Sequence, residues 1–177
     1  MALVVFLRGI NVGGHRRLRP AALAAKLEHL DAVNIGAAGT FVVRAPVGRR
    51  QVRDDISRQL PFPSEIVICD GKEVSRLLSQ NHFSGHRVRP DIVRFASVMS
   101  RAPRRTPTLP TTLPIHGRWL VKVLARDGRF LVGLHRREMK VIGTLAELDR
   151  MFGTRTTTRG WNTMKQIAKV LSTDENR

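Results

Sequence analysis

The sequence predicts an α+β protein, and three observations point that way. Short apolar runs rich in β-branched residues alternate with segments whose leucines, valines and isoleucines recur at helical spacing. Glycine- and proline-bearing breaks punctuate them at short intervals. Over residues 1–80 the elements fall in the order β-α-β-β-α-β, the split βαβ pattern of a ferredoxin-like lobe. A second, smaller α+β lobe is expected over 90–177, with the junction at about 81–90.

Each element has its own reason. Ala2 to Arg8 is an apolar run closed by Gly9 and reads as a buried strand. Pro20 suits the first position of a helix, and Leu23, Leu27 and Leu30 follow at helical spacing. Val33–Ile35 and Phe41–Arg44 read as two short strands around Gly36-Ala37-Ala38-Gly39. Val52, Ile56 and Leu60 mark a helix that stops at Pro61, with Asp54-Asp55 expected near its start to complement the dipole. Ile66–Cys69 is a fourth strand, closed by an expected Asp70-Gly71 turn, and Glu73–Gln80 a third helix.

In the second half Ile92–Val98 reads as a strand. Ser100–Pro114 carries several prolines and reads as a loop able to move. Trp119–Ala125 and Phe130–Leu134 flank Arg126-Asp127-Gly128-Arg129, a hairpin signal. Leu145–Met151 is a short helix stopped by Gly153. A closing helix is expected to start near Thr157 or Thr158 as N-cap, with Trp161, Met164, Ile167, Ala168 and Leu171 on its apolar side. Its end, from Ser172, is expected to fray.

Composition narrows the function classes. The apolar share of 42% suits a globular protein, and no apolar run is long enough to cross a bilayer. A soluble cytoplasmic protein is expected. The one cysteine, Cys69, excludes an intramolecular disulfide and reads as a small packed residue. The formal net charge is +17, with 31 Lys and Arg against 14 Asp and Glu. A GC-rich genome accounts for 25 of those bases being arginine, but not for the shortage of acids. Such a field draws nucleic acid or acidic surfaces at low salt.

Two stretches carry the chemistry. In the first, Arg8, Gly9, Asn11, Gly13 and Gly14 follow a strand, and glycines permit the left-handed conformations that turn consecutive N–H groups toward an anion. His15, Arg16 and Arg17 add charge beside them. It is not a P-loop, since no Gly-Lys-Ser/Thr follows, nor does it keep dinucleotide spacing. In the second, Thr158, Arg159 and Asn162 sit where a helix amino terminus would receive a phosphate or carboxylate. We expect these two groups to share one anion. Catalytic patterns are absent: the six histidines lack metal-ligand spacing, and there is no nucleophile elbow. No metal and no cofactor are expected. Phe6 and Phe41, on the first and third strands, invite comparison with the RNA-recognition motif, whose signature is otherwise missing.

Leu7-Arg8-Gly9-Ile10-Asn11-Val12-Gly13-Gly14 and Thr157-Thr158-Arg159-Gly160-Trp161-Asn162-Thr163 resemble the opening and closing signatures of a bacterial family known only as domain of unknown function 1697. The resemblance implies a bacterial α+β protein of two similar lobes with no established activity. Where relatives carry Ser-Gly-Asn, this chain has Ala38-Gly39-Thr40; where they carry Arg-Asn-Trp-Asn, it has Arg159-Gly160-Trp161-Asn162. The leading expectation is a module that binds nucleic acid or another polyanion without catalysis. One alternative is a small enzyme acting on a phosphorylated or carboxylated metabolite held at Arg8–Gly14. The other is a protein-interaction domain.

Overall fold

The computed structural model describes residues 1–174. These form an α+β arrangement of two antiparallel sheets and five α-helices. By internal contacts the chain divides into two units, Met1–Ser79 with the chain from Asn162 onward, and Gln80–Trp161. The sequence places the closing helix in a second lobe over 90–177; its contacts group it, from Asn162, with the first unit instead.

In the first unit β1 (Leu3–Leu7) lies inside a sheet that also holds β2 (Ala32–Ile35), β3 (Thr40–Val43) and β4 (Ile66–Asp70). The order is β2-β3-β1-β4, and every neighbouring pair is antiparallel. Val5 stands opposite Phe41 on one side and Ile68 on the other. Because side chains alternate along a strand, Leu3, Val5 and Leu7 share a face with Phe41, Val43 and Ile68. Onto that face α1 (Pro20–Lys26) and α2 (Arg49–Gln59) bring Leu23, Val52 and Ile56. The other face, with Val4, Phe6, Val42 and Cys69, is buried as well. A sheet buried on both sides explains why β1 is apolar at every position rather than alternating.

Two local elements differ from what the sequence predicts. Asp70-Gly71 is no turn, because α3 (Gly71–Ser79) begins directly at Gly71. Glycine serves close packing there: a β-carbon would lie 2.8 Å from Leu171 Cδ2 and 3.2 Å from the Ala2 carbonyl oxygen. Asp54-Asp55 does not open α2, which starts at Arg49. Asp55 is a buried mid-helix carboxylate that receives His29 Nε2 at 3.0 Å and the Arg58 guanidinium.

In the second unit the sheet order is β6-β7-β8-β5-β9. Its strands are β5 (Ile92–Met99), β6 (Thr111–Leu113), β7 (Val121–Asp127), β8 (Phe130–Arg136) and β9 (Thr156–Gly160). The expected β7–β8 hairpin forms around Gly128, whose φ of 56° a glycine accepts without strain. Helix α4 (Val141–Phe152) lays Val141, Leu148 and Phe152 against Phe95, Met99, Val121, Val123 and Leu131. Gly153 ends it in the left-handed conformation, as the sequence predicts.

The Ser100–Pro114 segment is not a free loop. The N–H groups of Arg104 and Arg105 both donate to Phe152 O, at 2.9 and 3.2 Å, and Thr111–Leu113 pairs with β7. Thr157 and Thr158 do not cap a helix either: they belong to β9, and α5 (Trp161–Asp174) starts only at Trp161. β-branched threonines suit a strand, and β5 offers them an open edge. Asp149 Oδ1 anchors the strand by accepting from both Thr156 N and Thr156 Oγ1 at 2.8 Å. Trp161, Met164, Ile167 and Leu171 of α5 are buried, as their spacing predicts. The expected fraying does not begin at Ser172, since α5 keeps Ser172 and Thr173; residues 175–177 lie outside the described residues.

Candidate anion-binding site

The Arg8–Gly14 motif forms an exposed connection between β1 and α1 in the first unit. Its base is fixed by the neighbouring strand entry. Arg8 N donates to Glu65 O at 3.0 Å, and Ser64 Oγ donates to Arg8 O at 2.9 Å. Gly9, Asn11, Gly13, Gly14 and Arg16 all have φ between 50° and 77°. Five left-handed residues in so short a stretch account for its glycines and its asparagine.

Asn11 holds the loop closed. Its Nδ2 donates to Leu18 O and to Ala37 O, each at 2.9 Å, while Oδ1 accepts from Leu18 N at 2.8 Å. Asn11 N itself donates to Arg16 O. The side chain expected to hold a ligand is therefore engaged in shaping the loop. What the loop leaves for a ligand is backbone and guanidinium. Gly13 and Gly14 N–H have no hydrogen-bond partner among the described residues. Arg17 Nε donates to Gly14 O at 3.2 Å, which keeps that guanidinium on the loop. Arg16 Nη1 lies 3.7 Å from where a β-carbon on Gly9 would stand. No carboxylate competes locally in sequence, because the first acidic residue of the chain is Glu28.

The closing motif is built differently. Thr158 and Arg159 project from opposite faces of the second unit's sheet. Thr158 Oγ1 pairs with Ser97 Oγ at 2.6 Å, across from its register partner on β5. Arg159 is 8% exposed and donates through Nη1 to Thr158 O at 2.9 Å. Burial pulls its guanidinium down to about 10. Thr157, on the same face as Arg159, has a buried hydroxyl with no partner among the described residues. Asn162 is exposed on the first turn of α5 and belongs to the first unit. Arg8 likewise belongs to the first unit, whereas Thr158 and Arg159 belong to the second.

The base-stacking reading of Phe6 and Phe41 fails. Both rings are buried, and register puts them on opposite faces, since Phe6 stands opposite Thr40 and Val5 opposite Phe41. Cys69 is buried and forms no disulfide, in keeping with a small packed residue. Sequence reading missed one basic aromatic cluster altogether. In the second unit the Arg136 guanidinium lies 4.5 Å and the Lys122 ammonium 5.5 Å from the centroid of Trp119. Lys122 and Arg136 sit on different strands, so only the β7–β8 register brings them together. Among the described residues no group of three His, Cys, Asp or Glu could hold a metal ion, and no helix is long and apolar enough to cross a membrane.

Comparison with known proteins adds a family and a fold. Residues 1–109 match the family described as "Protein of unknown function (DUF1697)". A solved structure of a conserved bacterial protein from Streptococcus pneumoniae is similar with a TM-score of 0.59 at 14% identity, covering 96% of this chain and 98% of that one. At that identity the likeness concerns the fold alone. No curated protein matches.

Proposed function

Because this chain belongs to DUF1697, a family of proteins of unknown function, its activity has to be read from its own surface, and we propose that it binds nucleic acid or another phosphate-bearing polyanion, without catalysis, through the Gly9–Arg17 loop. The observation that carries the reading is the pair of unbonded amides at Gly13 and Gly14 on a loop where the Arg17 guanidinium lies against Gly14 and the Arg16 guanidinium against Gly9. Exposed, unbonded backbone N–H groups on successive residues are available as donors to a phosphate oxygen. Guanidiniums supply charge-assisted bonds, each worth about 1.5–3 kcal/mol. Residues 11–17 are all exposed, which suits an extended ligand better than an enclosed metabolite.

The surrounding charge favours the same class of ligand. A net +17 spread over the chain gives long-range attraction that a single small anion does not need. Within the second unit, the Trp119 cluster is by itself an aromatic face carrying cations, a combination suited to bases and phosphates. Part of this proposal is that the first unit is ferredoxin-like. Its support is the β2-β3-β1-β4 order, antiparallel throughout, with α1 and α2 packed on one face. The reading rests on the first unit's loop and does not require Thr158, Arg159 or Asn162 to touch the ligand.

Fluorescence anisotropy with a labelled single-stranded oligonucleotide, titrated across a range of salt, tests it. Binding should tighten as salt falls, and Arg16→Ala with Arg17→Ala should flatten the log–log slope by about one for each phosphate that the variant no longer neutralises. Failure to bind at low salt, or an unchanged slope in the double variant, would remove the proposal.

A further inference from the structure

A cavity of about 490 Å³ opens in the second unit between the start of the β6–β7 connection and the last turns of α4. Its lining is mostly apolar. Leu113, only 4% exposed, is shared with the core beneath, and Met151 brings a flexible thioether that adapts to varied shapes. Ile115 stands at the mouth, 68% exposed, an uncommon place for a large β-branched side chain with nothing over it.

The rim is cationic. Arg105 and Arg150 border the cavity, and Glu147 is the one carboxylate on it. Arg150 spends little on that carboxylate, since their closest approach is 3.7 Å and both are largely in water. Arg105 is held more firmly. Its N–H donates to Phe152 O, and Nη1 donates to Arg150 O at 3.1 Å. Its Nε and Nη2 make no hydrogen bond among the described residues. A guanidinium tethered at one nitrogen and open at two others is prearranged to receive a carboxylate. Another cavity of similar size, about 440 Å³ and lined by Ser57 and Leu60–Ser64, has no such cation.

We propose that this cavity is a binding site for a small carboxylic acid with a flexible apolar chain, the carboxylate on Arg105 and Arg150 and the chain against Leu113, Ile115 and Met151. The volume falls within the range of small-molecule sites, roughly 300–1,000 Å³, and Arg105 and Arg150 are tied to each other through the Arg105 Nη1 bond to Arg150 O. Charge complementarity selects an acid over an alcohol or an amine. The Gly9–Arg17 loop belongs to the other unit.

Isothermal titration calorimetry on the full chain provides the test, with octanoate as probe, octan-1-ol as the chain without charge and acetate as the charge without chain. Octanoate should bind at least tenfold more tightly than either. Arg105→Gln should weaken it about tenfold, the size of one charge-assisted contact. Arg150→Gln, at an exposed helix position, should weaken it in the same direction and guards against misfolding of the first variant. Arg16→Ala with Arg17→Ala should leave octanoate affinity unchanged, so this site and the loop can fail separately. Equal affinity for octanoate and octan-1-ol, or wild-type affinity in both arginine variants, overturns the proposal.

Discussion

Asn11 and Leu18 exchange a reciprocal pair of hydrogen bonds, Leu18 N to Asn11 Oδ1 at 2.8 Å and Asn11 Nδ2 to Leu18 O at 2.9 Å. The asparagine amide thus imitates a strand partner for one residue and closes the loop that carries Gly13 and Gly14. Its φ of 56° is one that asparagine tolerates better than most residues. Asn11→Ala should cost about 1–3 kcal/mol by stripping Leu18 and Ala37 of their partners. Asn11→Asp keeps the acceptor and loses both donated bonds, so it should fall between the two. Chemical denaturation of the three proteins measures this, with equal midpoints counting against a clamping role.

Arg16 and Arg17 should act locally and other arginines only through the field. Each alanine variant should weaken oligonucleotide binding about tenfold. Arg104→Ala removes an exposed cation in the other unit, packed over Gly153, and should reduce affinity only slightly. Anisotropy titrations at one fixed salt concentration compare them. Equal losses for Arg104 and Arg17 would point to unspecific attraction.

Gly133→Ala tests the packing of the second unit. A β-carbon there would overlap the Lys122 carbonyl oxygen and lie 2.7 Å from Phe95 Cζ. Neither the β7 backbone nor the buried Phe95 ring has room to retreat, so the substitution should destabilise by about 3 kcal/mol or more. Gly143→Ala, an exposed helical glycine with open space around it, is the control and should stabilise by up to about 1 kcal/mol. Thermal melts read both.

His135 gives stability an acid limb. Burial against the β-sheet lowers its imidazole below the ordinary 6.5, outweighing the bond to Arg136 O that acts the other way. The unfolded chain then binds a proton more readily than the folded one. Stability should therefore be full above about pH 6.5 and decline as pH falls through the window below it, by at most about 1.4 kcal/mol per pH unit. His135→Gln should flatten this limb, and an unchanged slope in denaturation curves between pH 7 and 5 would assign the acid sensitivity elsewhere.

The first unit's elements were legible because their signals are local. Pro20 opens α1, the leucines that follow keep helical spacing, and the β1 run is apolar enough to require burial on both faces. What local reading misjudged depends on distant partners. Thr156–Gly160 looks like the polar entry to a helix until β5, some sixty residues away, pairs with it. Thr111–Leu113 is hidden among prolines, which tolerate only an edge strand such as β6. The loop's glycines and arginines, on which the proposed anion site rests, stand together in the sequence. Asn11's role as clamp was not legible there, because Leu18 and Ala37 identify themselves only through folded geometry.

The Gly13 and Gly14 amides report most directly on binding at the loop. In a ¹H–¹⁵N correlation spectrum titrated with a short oligonucleotide at low salt, the Gly13 and Gly14 cross-peaks should show the largest shifts, with the Arg16 and Arg17 Nε signals moving alongside. Shifts that leave both glycine amides in place while scattering over other basic residues would contradict the account.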